Sequence, residues 1–318
     1  HNAVLRLKPF IAHCELAALS DGGPLAGHIL SHDQIEAVLM RRAKFEVRVW
    51  PEEDLGWEEN PPTLPEFIRR DLRWCQGNMQ YFHFLGLPRL RPVSRGQLGL
   101  AIAMYAGAPA WISLMALGLM RQMPLRPDLG ALLFAITLFM SFAPKFATLG
   151  HVILQRELRQ TYGGTLRVIV SALLENLFSM LIAPISAVSV TLFLLGLPLG
   201  REVGWTSQLR DAGSVPFRLA ARHLWPHTLL GGLFAAGFWQ VVPGAIWLWA
   251  PFVFGLAGAI PLAMLSASPV LGRLLADLGL CRTPEESRPH HPEPAYAPLF
   301  APFAVPPGLA TATRRSPE

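Results

Sequence analysis

Four stretches of the chain carry almost no charge, and they divide it. Gln97 to Met120 has no charged side chain, Leu129 to Gln155 has only Lys145, Val168 to Gly200 has only Glu175, and Pro226 to Gly272 has none. Each is long enough to cross a hydrocarbon core of about 30 Å, which takes about 20 helical residues. Gly and Pro within them are compatible with spanning helices, whose neighbours resatisfy the freed backbone groups. The connecting stretches are rich in arginine: Arg156, Arg159 and Arg167 in one, Arg201, Arg210, Arg218 and Arg222 in the other. By the positive-inside rule both are expected on the cytoplasmic side, with Leu125 to Asp128 and the Val241 to Gly244 turn opposite. Val168 to Gly200 then enters and leaves on one side, as a hairpin or re-entrant pair broken near Pro184.

Before the first apolar stretch the pattern is that of an α/β piece. H-N-A-V-L-R-L reads as a strand. So does K-F-E-V-R-V-W, where Phe45, Val47 and Val49 share one face and Lys44, Glu46 and Arg48 the other. Between them S-H-D-Q-I-E-A-V-L-M-R-R predicts a helix, with Ser31 and Gln34 as a capping box and Arg41 and Arg42 at its end. T-L-P-E predicts another, capped by Thr63 with Glu66 and carrying Pro65 in its first turn. R-P-V-S-R-G after Pro88 reads as the hinge into the first apolar stretch.

Composition agrees with a membrane protein. Of 318 residues 52% are hydrophobic and only 15% charged, which excludes an ordinary pair of soluble domains. The net charge of +5 sits in the loops, where it sets orientation, so no nucleic-acid partner is implied. Cys14, Cys75 and Cys281 lack metal-ligand spacing and read as reduced thiols in a cytoplasmic setting. The chain opens at His1 without signal-peptide features and reads as a piece whose N-terminal part is absent. The organisation expected is a cytoplasmic α/β part at 1–96, a transmembrane helical domain at 97–272 and a cytoplasmic tail at 273–318, Pro-rich and disordered after about 283.

Candidate chemistry gathers before the first span. Arg70, Arg73 and Trp74 stand at i, i+3 and i+4, so two guanidinium groups and an indole share a helix face. Guanidinium forks suit phosphate oxygens and an indole suits the apolar face of a sugar ring. The plainer reading is an interfacial helix whose Arg and Trp anchor it among headgroups. Asp33 lies in a first helical turn, where the macrodipole favours a carboxylate; it is either a proton acceptor for a sugar hydroxyl or plain helix-end electrostatics. Glu175 and Asn176, in an apolar run, read as a polar lining or as a Glu paired with a neighbouring helix.

S-H-D at 31–33, E-E-N-P-P-T at 58–63 and R-D-L-R-W at 70–74, followed at once by spans, resemble the processive glycosyltransferases of family 2, the group containing cellulose synthase. The family's T-E-D and Q-x-x-R-W motifs depart here at Ser31, His32 and Arg70. The resemblance implies Asp33 as catalytic base, Arg73 with Arg70 on the donor diphosphate, and Trp74 with His32 and Asn2 at the acceptor. S-A-L-L-E-N-L-F-S, V-G-W-T-S-Q-L-R-D and L-G-L-x-x-T-P-E-E are similar to the branch that makes osmoregulated periplasmic glucans. That implies an inverting hexosyltransferase in the bacterial inner membrane, multi-pass, with its catalytic part cytoplasmic, using UDP-glucose and extending a glucan chain. Acyl carrier protein and a periplasmic biosynthesis protein are the further partners it suggests. The fold implied is the C-terminal α/β piece of a GT-A domain followed by a multi-spanning helical membrane domain. Trp205, Thr206, Gln208 and Arg210 occupy the place of the family's gating loop, or are a plain connection; Glu175 and Asn176 become candidate channel lining. A divalent metal, Mg²⁺ or Mn²⁺, is implied, but its D-x-D ligands are not in this chain, so the chain alone is expected to be inactive. The competing expectations are a cellulose-, chitin- or hyaluronan-like synthase, from which the missing strict Q-x-x-R-W departs, and a non-enzymatic membrane transport subunit.

Overall fold

The computed structural model describes residues 3–19, 22–49, 60–121, 127–204, 213–241 and 243–284. The described chain is helical from end to end: α1 (Leu7–His13), α2 (Asp33–Arg42), α3 (Leu64–Met79), α4 (Phe82–Leu85), α5 (Pro92–Arg121), α6 (Pro127–Leu154), α7 (Arg156–Thr161), α8 (Thr165–Gly196), α9 (Phe217–Val241), α10 (Ile246–Ala257), α11 (Ala259–Ser266) and α12 (Pro269–Asp277). Among the described residues no strand forms, only an isolated bridge between Leu19 and Gly27. Both predicted strands are therefore corrected. The alternation at 44–49 is real, but Val47 and Val49 are exposed. A strand with no neighbour leaves its backbone donors and acceptors unpaired, so period-2 patterning alone does not make one.

The two predicted helix starts fare differently. Thr63 caps α3 as read, its Oγ1 accepting from Glu66 N at 3.5 Å, with Pro65 in the first turn. At α2 the N-cap is His32, and no side chain caps it. Ser31 is engaged elsewhere: Tyr81 Oη donates towards Ser31 O at 2.9 Å and Ser31 Oγ at 3.1 Å. The capping box at 31–34 is thus replaced by a tertiary contact.

Helices α5, α6 and α8 are long and apolar enough to cross a membrane, and α10 with α11, bent by 72° between them, amount to a further candidate span. α5 begins at Pro92, so the expected hinge is already helix. The hairpin expected at 168–200 does not occur: α8 is one helix of 32 residues that runs through Pro184. Proline removes one backbone bond, and packing on both sides absorbs the loss. Pro109, Pro144, Pro226 and Pro251 likewise lie inside helices.

Two apolar clusters organise the packing. One joins α2, α3, the first half of α5 and the last turns of α8 through Ile35, Cys75, Tyr81, Leu98 and Phe193, all fully buried. The other joins α8, α9, α10 and α11 to the start of α3 through Leu64, Ile185, Leu224 and Leu256. α9 and α10 meet at Gly231, where a Cβ would run into the Ala257 backbone. α3 belongs to both clusters, so the helix bearing the candidate residues is fixed between the amphipathic front of the molecule and its apolar helices.

Candidate active site

α3 sorts its side chains by face. Arg70 turns inward: it is 9% exposed, its guanidinium carbon lies 4.7 Å from the Trp74 ring centroid, and its Nη2 donates to Asn60 Oδ1 at 3.1 Å. A cation over an indole is held by the ring's negative face, so Arg70 and Asn60 together fix the Trp74 plane. Arg73 stands beside them. Burial first, then the neighbouring Arg70 charge, lowers its pKa. Glu66 pairs with Arg69, Oε1 to Nη2 at 3.2 Å.

The next turns of α3 hold the Asp33 segment. A Cβ on Gly77 would lie 2.5 Å from Ser31 Cβ and 2.6 Å from Ser31 N, so only glycine lets the backbones approach this closely. Gln80, fully buried, accepts from Leu30 N at 3.0 Å and donates to His28 O at 3.0 Å and Leu25 O at 3.3 Å. Tyr81 adds its bonds to Ser31; burial first, and after it the Asp33 charge, raises its pKa, against the Ser31 hydrogen bond. The loop entering α2 is thereby seated on the helix that carries Arg73 and Trp74. None of Gly77, Gln80 or Tyr81 was among the candidate residues. The signal available was a run of uncharged polar residues continuing a helix face past the arginines.

Asp33 is half exposed at the start of α2, and His32 Nδ1 lies 3.8 Å from its Oδ1 and 3.0 Å from Glu36 Oε1. The ligand atoms of His32, Asp33 and Glu36 fall within 4.8 Å of one another. They are not the D-x-D oxygens that the resemblance implies for its divalent cation, and they do not suit Mg²⁺. Mg²⁺ takes an octahedron of oxygens, whereas here an imidazole nitrogen fills the space between the carboxylates and bonds one of them. The three side chains read as a hydrogen-bonded polar cluster at the helix start.

Behind Trp74 lies a buried polar pair. Tyr105 Oη donates to Asp71 Oδ1 at 3.0 Å, and burial pushes the Asp71 carboxyl up in spite of that bond and the Arg70 charge. Burial also pushes the Cys75 thiol up to about 12. Gln76 Oε1 accepts from Val203 N at 2.8 Å, tying α3 to the segment after α8. Asn2 and the gating-loop candidates Trp205, Thr206, Gln208 and Arg210 lie outside the described residues. Glu175 and Asn176 lie apart from this cluster, on α8: Glu175 Oε1 takes Lys145 Nζ of α6 at 2.7 Å, and Asn176 is half-buried.

The chain resembles curated bacterial proteins over most of its length. It is 37% identical over 309 residues to glucans biosynthesis glucosyltransferase H of Pseudomonas putida, covering 90% of this chain and 36% of that protein. To the same-named protein of Pseudomonas syringae pv. tomato it is 37% identical over 312 residues, 91% of this chain and 36% of the relative. For Pseudomonas syringae pv. syringae the figures are 37% over 312 residues, 91% and 38%. No protein-family profile matches the chain, and no solved structure matches it. The chain spans little more than a third of the length of these relatives, and over that span it is a homologue of glucans biosynthesis glucosyltransferase H.

Proposed function

We propose that the chain is the acceptor-side and membrane part of a glucosyltransferase that uses UDP-glucose to build and export the β-glucan backbone of osmoregulated periplasmic glucans. The names of its relatives support glucosyl transfer in glucan synthesis. The observation that carries the reading to residues is the seating of the Ser31–Asp33 loop on α3 at Gly77, beside Arg73 and Trp74.

Trp74 offers a fixed ring on which the acceptor glucose stacks, its plane held by Arg70. The acceptor hydroxyl oxygen attacks the anomeric carbon of the donor, and the C–O bond to the diphosphate breaks with inversion. Asp33 takes the hydroxyl proton as the new bond forms. The departing UDP carries away the bonding pair, and the Arg73 guanidinium meets that developing charge. His32, bonded to Glu36, lines the approach to Asp33. The apolar helices beyond α3 carry the product across the inner membrane, the catalytic side being cytoplasmic.

The test is Asp33→Asn in the complete gene product. Loss of a general base is worth about 10²–10⁴ in rate, so glucan synthesis falls by that factor while UDP binding stays within about twofold. Turnover at the wild-type rate sinks the assignment.

A further inference from the structure

The cavity bounded by α3, α8 and α9 holds 530 Å³ and is lined by groups for which glucosyl transfer has no use. Its rim carries three guanidinium groups and an imidazole. Arg69 comes from α3, Arg201 from the segment after α8, and Arg222 and His223 from α9. Arg201 reaches a main-chain carbonyl, Leu192 O at 3.4 Å. Among the described residues neither Arg201 nor Arg222 forms an ion pair with a carboxylate. One acid lines the same space: Glu66, 7% exposed, has Oε1 on Arg69 and Oε2 buried with no hydrogen-bond partner. Deeper in, Ser189 Oγ and His227 Nε2 are 2.8 Å apart, while His227 Nδ1 is buried without a hydrogen-bond partner. Leu72 and Leu192 supply apolar wall.

This combination has a chemical complement. Unpaired guanidinium groups at a rim select phosphate oxygens. A buried carboxylate oxygen left without a donor costs stability until a donor reaches it, and an ammonium group matches it in charge as well. The wall requires that the ligand be partly apolar. Leu192 and Arg201 line the cavity at the end of α8, a helix long and apolar enough to cross a membrane, so the cavity sits at the level where lipid headgroups lie. We propose that it seats the headgroup of an amine-bearing phospholipid, with the phosphate against Arg201 and Arg222, the ammonium on Glu66 Oε2, and the first acyl carbons along Leu72 and Leu192. Such a lipid wedges α9 against α3 and couples the bilayer to the helix that carries Arg73 and Trp74.

The proposal predicts discrimination by donor. Phosphatidylcholine presents the same phosphate but a quaternary amine with no N–H, so it satisfies the arginines and leaves Glu66 Oε2 unpartnered. The chain is delipidated in detergent, equilibrated with equal amounts of phosphatidylethanolamine and phosphatidylcholine, and its retained lipid read by native mass spectrometry. Phosphatidylethanolamine is retained about tenfold over phosphatidylcholine, the ratio one charge-assisted hydrogen bond supplies. Arg201→Gln with Arg222→Gln, both at exposed positions whose replacement leaves the fold intact, lowers retention of both lipids about tenfold or more. Glu66→Gln narrows the preference between them. Equal retention of the two lipids by the wild type, or unchanged retention in the arginine variant, overturns the proposal. A soluble arm separates the sources: if phosphoethanolamine without acyl chains binds as tightly as the lipid, the ligand is a free phosphomonoester and the lipid assignment fails.

Discussion

At Gly77 a methyl group would meet Ser31 Cβ at 2.5 Å and Ser31 N at 2.6 Å, and the second of these is backbone that cannot rotate away. Gly77→Ala therefore has to push the loop before α2 off α3. Overpacking of this kind costs about 1–3 kcal/mol, and the displaced loop is the one that brings Asp33 to the site. The expected outcome is a lower unfolding temperature in detergent together with a fall in glucan synthesis larger than the stability loss explains. Gly86→Ala, where a Cβ meets nothing within 4 Å, leaves synthesis unchanged and serves as the comparison. Spacing alone places Arg70, Arg73 and Trp74 on one helix face, and the structure keeps them there. It does not say which arginine turns inward. Arg70 is buried because Asn60 and the Trp74 ring receive it, and Asn60 comes from the segment before α3, which carries no periodic signal. The same holds for Ser31, whose hydroxyl is claimed by Tyr81, a residue 50 positions away.

At the scale of elements, α3 is the one whose sequence is most explicit: a Thr cap, a first-turn proline and an amphipathic face all agree with its observed bounds Leu64–Met79. The strands fail because a strand is defined by its neighbour, and the pattern of one segment contains no neighbour. α8 was misread for a different reason. Arginine-rich loops at both ends placed the two ends on one side, and Pro184 offered the break that a hairpin needs; the helix instead runs through Pro184 unbroken. Its last turns pack against α3 and the first turns of α5, in the cluster of Phe193 with Leu98 and Ile102. Its first half is tied to the last half of α6 through Lys145 and Glu175. α8 runs antiparallel to α5, Phe193 lying with Leu98 and Ala187 with Tyr105 and Ala108, so one unbroken helix long and apolar enough to cross puts its two ends on opposite sides of the membrane. Cysteines at Gly164 and Gly200 then react with an impermeant maleimide from opposite sides of sealed vesicles. Cys281, exposed, is replaced first. Cys75, buried and with its thiol pushed up to about 12, stays silent without replacement, since the thiolate is the reactive form. Labelling from the same side means that α8 does not cross the bilayer.

For the molecule as a whole, two apolar clusters that share α3 weld α2, α3, α5, α8, α9, α10 and α11 together, whereas α6 is attached in another way. α6 packs on α7 and α8, and its candidate span is 0% buried within the chain. What ties it to α8 is polar: Lys145 Nζ lies 2.7 Å from Glu175 Oε1 and 3.2 Å from Ser179 Oγ. The sequence announces both charges as exceptions in apolar runs, yet not that they meet, because the register between two membrane helices is set by packing that neither run encodes alone. In hydrocarbon there is little hydrophobic drive for one helix to join another, so the pair carries a larger share of the attachment than an ion pair in water would. Removing one partner leaves a charge facing lipid, at about 2.5–3.5 kcal/mol on insertion scales, while removing both leaves two apolar helices that pack by shape. Lys145→Met and Glu175→Gln each alone are thus expected to loosen α6, read as a rise in protease cleavage between α6 and α8 at Arg156 or Arg159 and a lower unfolding temperature. The double variant Lys145→Met with Glu175→Gln recovers most of both losses. Additive losses in the double variant mean that the two side chains act separately, and α6 is then held by contacts other than this pair.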